Sequence, residues 1–326
     1  MRDSTVLIAV VAALTLLSLC YSPLATAGTA QFQFGLAHSD SVTSNHHRLA
    51  SKFAELADKY SDGRIKIMVY PGGQLGNLKT VVEGLQIGTH DLVRTLDVIA
   101  ALLPESDAFN LPYLFPDRKR FERAIADPVV EKLLDKFKAK GIVIVSWWEN
   151  GFRHMTNSAR PIRRPEDLRG LKMRTPPNPA RIEMFRLFGG NPAPLPYEEL
   201  YSALQQRVFD GQENPLNNIR TSKFHEVQKY LSLTSHVYNP QWLAMSRIKW
   251  DGLPEWGRAA IKRAGDEVGQ MYRAEGQALD DEDLGFLKRY LEVNEVDFAA
   301  FRKASQPLYD KFPDKELLRR LLELAS

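Results

Sequence analysis

Beyond residue 28 the apolar residues switch repeatedly between a two-residue and a 3.6-residue period, which restricts the fold more than any other feature. Gln31 to Ala37 reads as a strand ending at His38-Ser39-Asp40-Ser41. Ser44 is placed to cap a helix running to Tyr60, on which Leu49, Phe53, Leu56 and Ala57 share one face. Asp62-Gly63 then turns the chain into Arg64 to Tyr70, where Ile65, Ile67 and Val69 alternate. After the loop Pro71-Gly72-Gly73-Gln74-Leu75-Gly76, a helix from about Leu78 to Ile87 carries Val81, Val82 and Leu85. Strand, helix and strand in succession predict α/β layering.

The rhythm continues. Ile142 to Val145 is a β-branched run that reads as a buried strand leading into Trp147-Trp148-Glu149-Asn150. A second series of βα units spans Phe152 to about Leu233, with a strand from Leu171 and helices near Pro179–Phe188 and Tyr197–Gln206. A return strand is expected near Gln241–Ser246. From Pro254 to Leu291 there is no further proline, and Ile261, Ala264, Val268, Met271 and Leu279 keep helical spacing. A helix of that length reaches on the order of 50 Å, although its glycines leave its continuity open. Leu317, Leu318, Leu321 and Leu322 predict a last amphipathic helix.

The first residues belong to a different category. Val6 to Leu19 is almost wholly apolar, too short for a comfortable membrane span, and is followed by Ala25-Thr26-Ala27. Residues 1–27 therefore read as a cleaved export signal, with a mature start near Gly28 and a periplasmic destination. Cys20 is the only cysteine, so the mature chain has none, which removes disulfides and thiolate chemistry. The remaining length of about 300 residues fits two lobes of ordinary domain size. Lys and Arg total 43 against 40 Asp and Glu, and the basic residues are dispersed, so no nucleic-acid partner is expected.

Catalytic templates are missing: there is no G-x-S-x-G, P-loop, H-E-x-x-H or G-x-G-x-x-G. The seven histidines lack metal-ligand spacing, and neither metal nor cofactor is expected. Glu198-Glu199 and Asp280 to Asp283 read as solvated charge. Two arginines and an asparagine stand out instead. Arg153 lies in Gly151-Phe152-Arg153-His154-Met155-Thr156-Asn157, Arg174 ends Gly170-Leu171-Lys172-Met173-Arg174, and Asn214 sits in Asp210-Gly211-Gln212-Glu213-Asn214-Pro215. A guanidinium presents a rigid fork of donors that matches a carboxylate. An arginine at a strand end can point into the crevice where α/β sheets hold ligands, or it can form an ion pair between lobes or in the core.

The ordered motifs carry a resemblance. Gly151-Phe152-Arg153, Thr156-Asn157 and Pro165-Glu166-Asp167-Leu168-Arg169-Gly170-Leu171-Lys172-Met173-Arg174 resemble the substrate-binding subunit of a TRAP (tripartite ATP-independent periplasmic) transporter of the DctP type. Tyr201-Ser202-Ala203-Leu204-Gln205, Val208-Phe209-Asp210-Gly211-Gln212-Glu213-Asn214-Pro215 and Phe224-His225-Glu226-Val227-Gln228-Lys229-Tyr230-Leu231 continue it. Upstream, Tyr70-Pro71-Gly72-Gly73-Gln74-Leu75-Gly76 and Leu111-Pro112-Tyr113-Leu114-Phe115 also match, so it covers essentially the whole mature chain. The resemblance implies a two-lobed, periplasmic-binding-protein-like α/β fold with hinge strands, a long helix spanning both lobes, and closure around a ligand. The expected division is 28–150 plus about 240–279 for the first lobe and 151–239 plus about 280–326 for the second. It implies that Arg174 is the principal carboxylate clamp, Arg153 the second ligand arginine, and Asn214 the amide that helps hold the carboxylate.

The chain also departs from common relatives. Where many carry an acidic residue after Gln74-Leu75-Gly76, this sequence has Asn77-Leu78-Lys79-Thr80. Arg94 is a further basic candidate. If it faces the cleft, a ligand with extra negative charge or several oxygens is expected. Asn45, His38 and Trp148 are candidates for polar contacts and an apolar or stacking wall. The expected function is a periplasmic receptor that captures a small organic anion and delivers it to TRAP permease subunits. Sugar acids and hydroxy acids come first, C4-dicarboxylates or oxo acids next. A periplasmic lyase or hydrolase is the competing class, for which no positioned acid, base or nucleophile is identified.

Overall fold

The structure, a computed structural model, describes residues 30–95 and 97–326. The leader read at residues 1–27, with Cys20, lies outside the described residues. Strands β1 (Phe32–Ala37), β2 (Ile65–Tyr70) and β3 (Leu92–Thr95) run parallel with β1 in the middle. Helices α1 (Asn45–Tyr60) and α2 (Leu78–Ile87) connect them. Both start on side-chain caps: Ser44 Oγ accepts from His47 N at 3.0 Å, and Asn77 Oδ1 accepts from Thr80 N at 3.0 Å. The short α3 (Asp97–Ala100) then precedes α4 (Arg118–Ile125) and α5 (Pro128–Asp135).

Next comes β4 (Ile142–Asn157), 16 residues long, of which the apolar run Ile142–Val145 marks only the beginning. Beyond it lie β5 (Lys172–Thr175), α6 (Pro179–Leu187), β6 (Asn191–Pro194), α7 (Leu200–Gln205), β7 (Gly211–Pro215) and α8 (Leu216–Thr221). The expected return strand at Gln241–Ser246 is the second half of β8 (Tyr230–Ser246), which has 17 residues. Both long strands are polar in their middles, where no apolar period announces them. Their extent is set by pairing with each other. The chain ends in α9 (Arg247–Asp251), α10 (Glu255–Leu287), β9 (Glu292–Asn294), α11 (Phe298–Lys311) and α12 (Lys315–Ala325).

One sheet of order β2-β1-β3-β8-β4-β7-β5-β6 runs through both lobes, with β9 beside β8. β4 and β8 pair antiparallel from Ile142↔Ser246 to Asn157↔Tyr230. The register slips between Glu149 and Gly151, near the midpoint, where Gly151 has φ +102°, a value that favours glycine. On one side of that slip β3 flanks β8, and on the other β7 flanks β4. The first lobe is therefore built on β1–β3 and the second on β5–β7, and the two long strands are the hinge between them.

Each lobe buries apolar clusters on both sheet faces. In the first, Phe109, Phe121, Trp147 and Trp242 pack edge to face, with Phe109 and Trp147 centroids 4.8 Å apart. α10 covers the other face: Ile261, Ala264, Val268 and Tyr272 join the first lobe's core and Leu287 the second's. Its 33 residues form one helix despite the glycines. Two of those glycines are sites of close approach. A Cβ at Gly269 would stand 2.3 Å from the Trp147 carbonyl oxygen, and one at Gly276 would stand 2.7 Å from Arg118 Nε. Nor is the acidic run solvated throughout. Asp280 Oδ2 accepts from Arg118 Nη2 at 2.7 Å, and the buried Asp283 accepts from Asn217 and Arg220 at 2.9 Å each. Arg118 also donates from Nε to Glu149 Oε1 at 2.7 Å, tying α10 to the hinge strand.

The end of the chain divides between the lobes, whereas the expected division gave 280–326 wholly to the second. Phe301 of α11 packs against Phe188 of the second lobe at 5.0 Å between centroids. Leu317, Leu318 and Leu321 of α12 instead enter the first-lobe cluster that contains Phe121. The leucine stripe specifies an apolar partner but not which lobe supplies it.

Replacing Gly269 by Ala is expected to destabilise the protein by about 1–3 kcal/mol, because the new methyl meets backbone that cannot withdraw. Gly285→Ala, on the same helix with nothing within 4 Å of the added carbon, is expected to stabilise by about 0.5–1 kcal/mol. Urea unfolding of the two variants checks the contrast; equal effects would refute the close-approach account.

Candidate functional site

Parallel strands of both lobes end at the cleft between them. Arg94 is the third residue of β3, and Arg174 is the third of β5. Arg153, on β4, pairs in register with Pro215 of β7 and Val237 of β8, and Asn214 stands opposite His154. Arg94, Arg153, Arg174 and Asn214 line one cavity of about 300 Å³. Asn77, Asn150, Asn218 and Gln241 add amides to its wall, while Pro176, Pro177, Leu195 and Pro196 make it apolar on the second-lobe side.

Arg174 is buried, with 2% of its surface exposed. Its Nε and Nη2 donate to the Leu195 carbonyl at 2.9 and 2.6 Å. Among the described residues no carboxylate lies within salt-bridge distance of it. Burial lowers its pKa to about 10, against a smaller upward pull from Glu213. A buried guanidinium with one carbonyl for a partner is costly until an anion joins it.

Arg153 is held differently. Its Nη2 donates to Glu213 Oε1 at 2.8 Å and to Asn214 Oδ1 at 3.0 Å, and its Nη1 donates to Asn239 Oδ1 at 3.1 Å. Glu213 also meets His236 Nε2 at 2.9 Å and Arg181 Nη1 at 3.5 Å. Burial by itself would raise the Glu213 pKa, but Arg153 and Arg181 together hold it far below the usual carboxylate range. These contacts leave Arg153 one free Nη1 hydrogen and Asn214 part of its amide. Glu213, Arg181 and His236 went unread in the sequence. Glu213 directly precedes Asn214 in the motif, and nothing in its spacing says that it is buried.

Arg94 reaches the cavity already paired. Its Nη1 donates to Asp40 Oδ2 at 2.7 Å, and its Nη2 donates to the Glu149 carbonyl, Asn150 Oδ1 and His46 Nδ1 at 2.9, 3.0 and 3.1 Å. Asp40 Oδ1 accepts from Asn218 Nδ2 of the second lobe at 3.0 Å, and Asn218 also donates to Tyr197 Oη at 3.1 Å. The loop at Gly73 presses against Glu198, where an added Cβ would lie 2.7 Å from Cγ. The lobes thus touch across the cleft, as a closed conformation requires. Glu198, read as solvated, stands at this contact and lines the cavity.

Three candidates lie away from the cavity. Trp148 is buried against Phe53 and Tyr272 with its Nε1 donating to the Gly265 carbonyl at 3.0 Å, because strand alternation turns it towards α10. His38 sits behind Asp40, its Nδ1 3.5 Å from the carboxylate and its Nε2 3.2 Å from His47 Nδ1. Asn45 is at the start of α1, where its Oδ1 accepts from Arg48 Nε at 2.7 Å. Among the described residues no three His, Cys, Asp or Glu side chains are arranged to hold a metal, and no helix is long and apolar enough to cross a membrane.

Two α/β lobes hinged on shared strands, with a cleft lined by cations, define the class of two-lobed solute-binding proteins. Residues 36–316 match the model of bacterial extracellular solute-binding protein family 7, and the chain belongs to that family, the solute-binding proteins of TRAP transporters. It is 37% identical over 238 residues to the 2,3-diketo-L-gulonate-binding periplasmic protein of Escherichia coli K12, covering 72% of each chain. It is 34% identical over 278 residues to the sialic acid-binding periplasmic protein of Vibrio cholerae, covering 83% of this chain and 85% of that one. Among solved structures, the galactonate complex of the sugar acid binding protein from Advenella mimigardefordensis superposes with a TM-score of 0.86 at 32% identity, covering 90% of this chain and 97% of the other. A TRAP solute-binding protein from Polaromonas sp. JS666 bound to D-erythronate gives 0.85 at 34% identity, covering 90% and 99%.

The buried histidines make the fold acid-sensitive. Burial lowers His46 and His154 to about 3 and His236 to about 4. All three are neutral in the folded state, so below pH 6.5 the unfolded chain binds protons that the folded one refuses. Stability is then expected to fall as pH drops from about 6.5 towards 4, by up to about 1.4 kcal/mol per pH unit for each histidine. Chemical unfolding at pH 7.5, 6 and 5 measures this; a flat profile contradicts neutral burial.

Proposed function

We propose that this chain is a periplasmic receptor that captures a small hydroxylated carboxylate and presents it to a TRAP permease. The observation that carries the reading is Arg174, a buried cavity-lining cation that lacks a carboxylate among the described residues. A ligand carboxylate accepts from its free Nη1, from the remaining Nη1 hydrogen of Arg153 and from the Asn214 amide. Such charge-assisted bonds are strongest where water is excluded. Glu213 orients Arg153 for this task and offsets its charge. The rest of the wall favours a ligand with several hydroxyls, since its amides both donate and accept. The sugar-acid complexes of related proteins support the same class. Closure follows from ligand contacts to both lobes about the β4–β8 hinge.

In this reading residues 1–27 direct export, and the ligand leaves chemically unchanged. Among the described residues the cleft offers guanidinium and amide donors but no nucleophile paired with a base. Recovery of intact acid after prolonged incubation supports the receptor, whereas product formation moves the chain to the lyase or hydrolase class.

A thermal-shift screen of organic acids followed by calorimetry tests the clamp. Arg174→Ala is expected to cost about 2–5 kcal/mol of binding to the best acid, and full retained affinity would sink the assignment. Glu213→Gln is expected to weaken the same acid by about tenfold, because it frees Arg153 to move.

A further inference from the structure

We infer that Asp40 and Arg94 form a second pole of the cavity that accepts ligand hydroxyls and turns away a second carboxylate. The inference rests on the reading that Arg174 takes the first carboxylate. It names the ligand class as polyhydroxylated monocarboxylates, not diacids.

The charges at the cavity are matched one by one, with a single exception. Arg153 is answered by Glu213, and Arg181 stands 3.5 Å from both Glu213 and Asp97. Arg94 is answered by Asp40 at 2.7 Å. Lys79 also lines the cavity, but its side chain is 75% exposed and lies 3.8 Å from Glu83, so water screens it. Arg174 remains the buried lining cation without an acid among the described residues. One such cation calls for one carboxylate.

The first-lobe pole offers the opposite charge. Asp40 is 4% exposed and lines the same cavity as Arg174. Its two oxygens accept one bond each from Arg94 and Asn218, and a carboxylate has about four lone-pair sites. It therefore keeps acceptor capacity suited to hydroxyl donors. Arg94, whose Nη1 donates to it, holds it ionised against the effect of burial. A second ligand carboxylate placed there meets a like charge at low dielectric, while both Nη groups of Arg94 are already bonded to Asp40, Glu149, Asn150 and His46. Glu198 adds another acid to the wall at the lobe contact. The Asp40–Asn218 bond also crosses between lobes, so a ligand held at Asp40 is held where the closed state is stitched together.

Calorimetry on the wild-type protein tests this with pairs of acids that share a carbon skeleton: erythronate with tartrate, gluconate with glucarate, and galactonate with galactarate. Butyrate and hexanoate serve as monocarboxylates without hydroxyls. The best aldonate is expected to bind about 100-fold tighter than its diacid partner and than the unhydroxylated acid. A diacid or an unhydroxylated acid that binds as tightly as the best aldonate overturns the inference and leaves the Arg174 clamp standing. Failure of every carboxylate, or indifference to Arg174→Ala, instead overturns the clamp itself and the inference with it. In Asp40→Asn the aldonate is expected to weaken about tenfold or more and the diacid to bind tighter than to wild type, since Arg94 is left unanswered. Unchanged selectivity in a variant with a native circular dichroism spectrum counts against the proposal, and the wild-type pairs decide it should that variant not fold.

Discussion

The pairing of β4 with β8 is the constraint on which the rest of the molecule depends. Two strands of 16 and 17 residues run antiparallel through both lobes, so one hydrogen-bonded ladder joins two halves that have separate cores. The register slip at Glu149/Gly151 gives that ladder a place to bend. Each lobe adds its parallel strands outboard of the pair, and both sets end at the same cleft. The site follows from this topology, because side chains at the ends of β3 and β5 face each other only when β4 and β8 set the lobes in that relation.

Within the cleft, the guanidiniums differ in whether a carboxylate meets them. Four guanidiniums lie in or beside the cavity, and burial makes each expensive unless it is paired. Glu213 and Asp97 answer Arg153 and Arg181, and Asp40 answers Arg94. Arg174 alone among these four has only a carbonyl. With Arg94 facing the cleft, the sequence left two expectations open, a ligand with extra negative charge or one with several oxygens. Arg94 does line the cavity, but Asp40 already meets its charge.

Much of the local structure could be read along the chain. The alternation at Ile65, Ile67 and Val69, the cap at Ser44 and the long stripe after Pro254 all correspond to observed elements. These are signals carried within a few turns of chain. The middle of β4 was not legible, since Glu149, Asn150, Arg153 and His154 look like loop residues until a partner strand satisfies them. The glycines of α10 looked like weaknesses, yet Gly269 lets the helix lie against the Trp147 carbonyl. Trp148 looked like a wall for a ligand, but the face of the sheet on which it falls places it under α10.

By itself the sequence determined the α/β class, the long helix, and the presence of Arg153, Arg174, Arg94 and Asn214 as cationic and amide groups in ordered motifs. Those depend on residue type and short spacing, which any stretch of chain displays. Tertiary structure alone decided which of these groups share one cavity, which carboxylate each guanidinium meets, and that α12 packs on the first lobe. Asp40 and Arg94 are 54 positions apart, and Arg153 and Glu213 are 60 apart. Charge pairing over such separations is fixed by folding the sheet, and no local pattern in the chain records it.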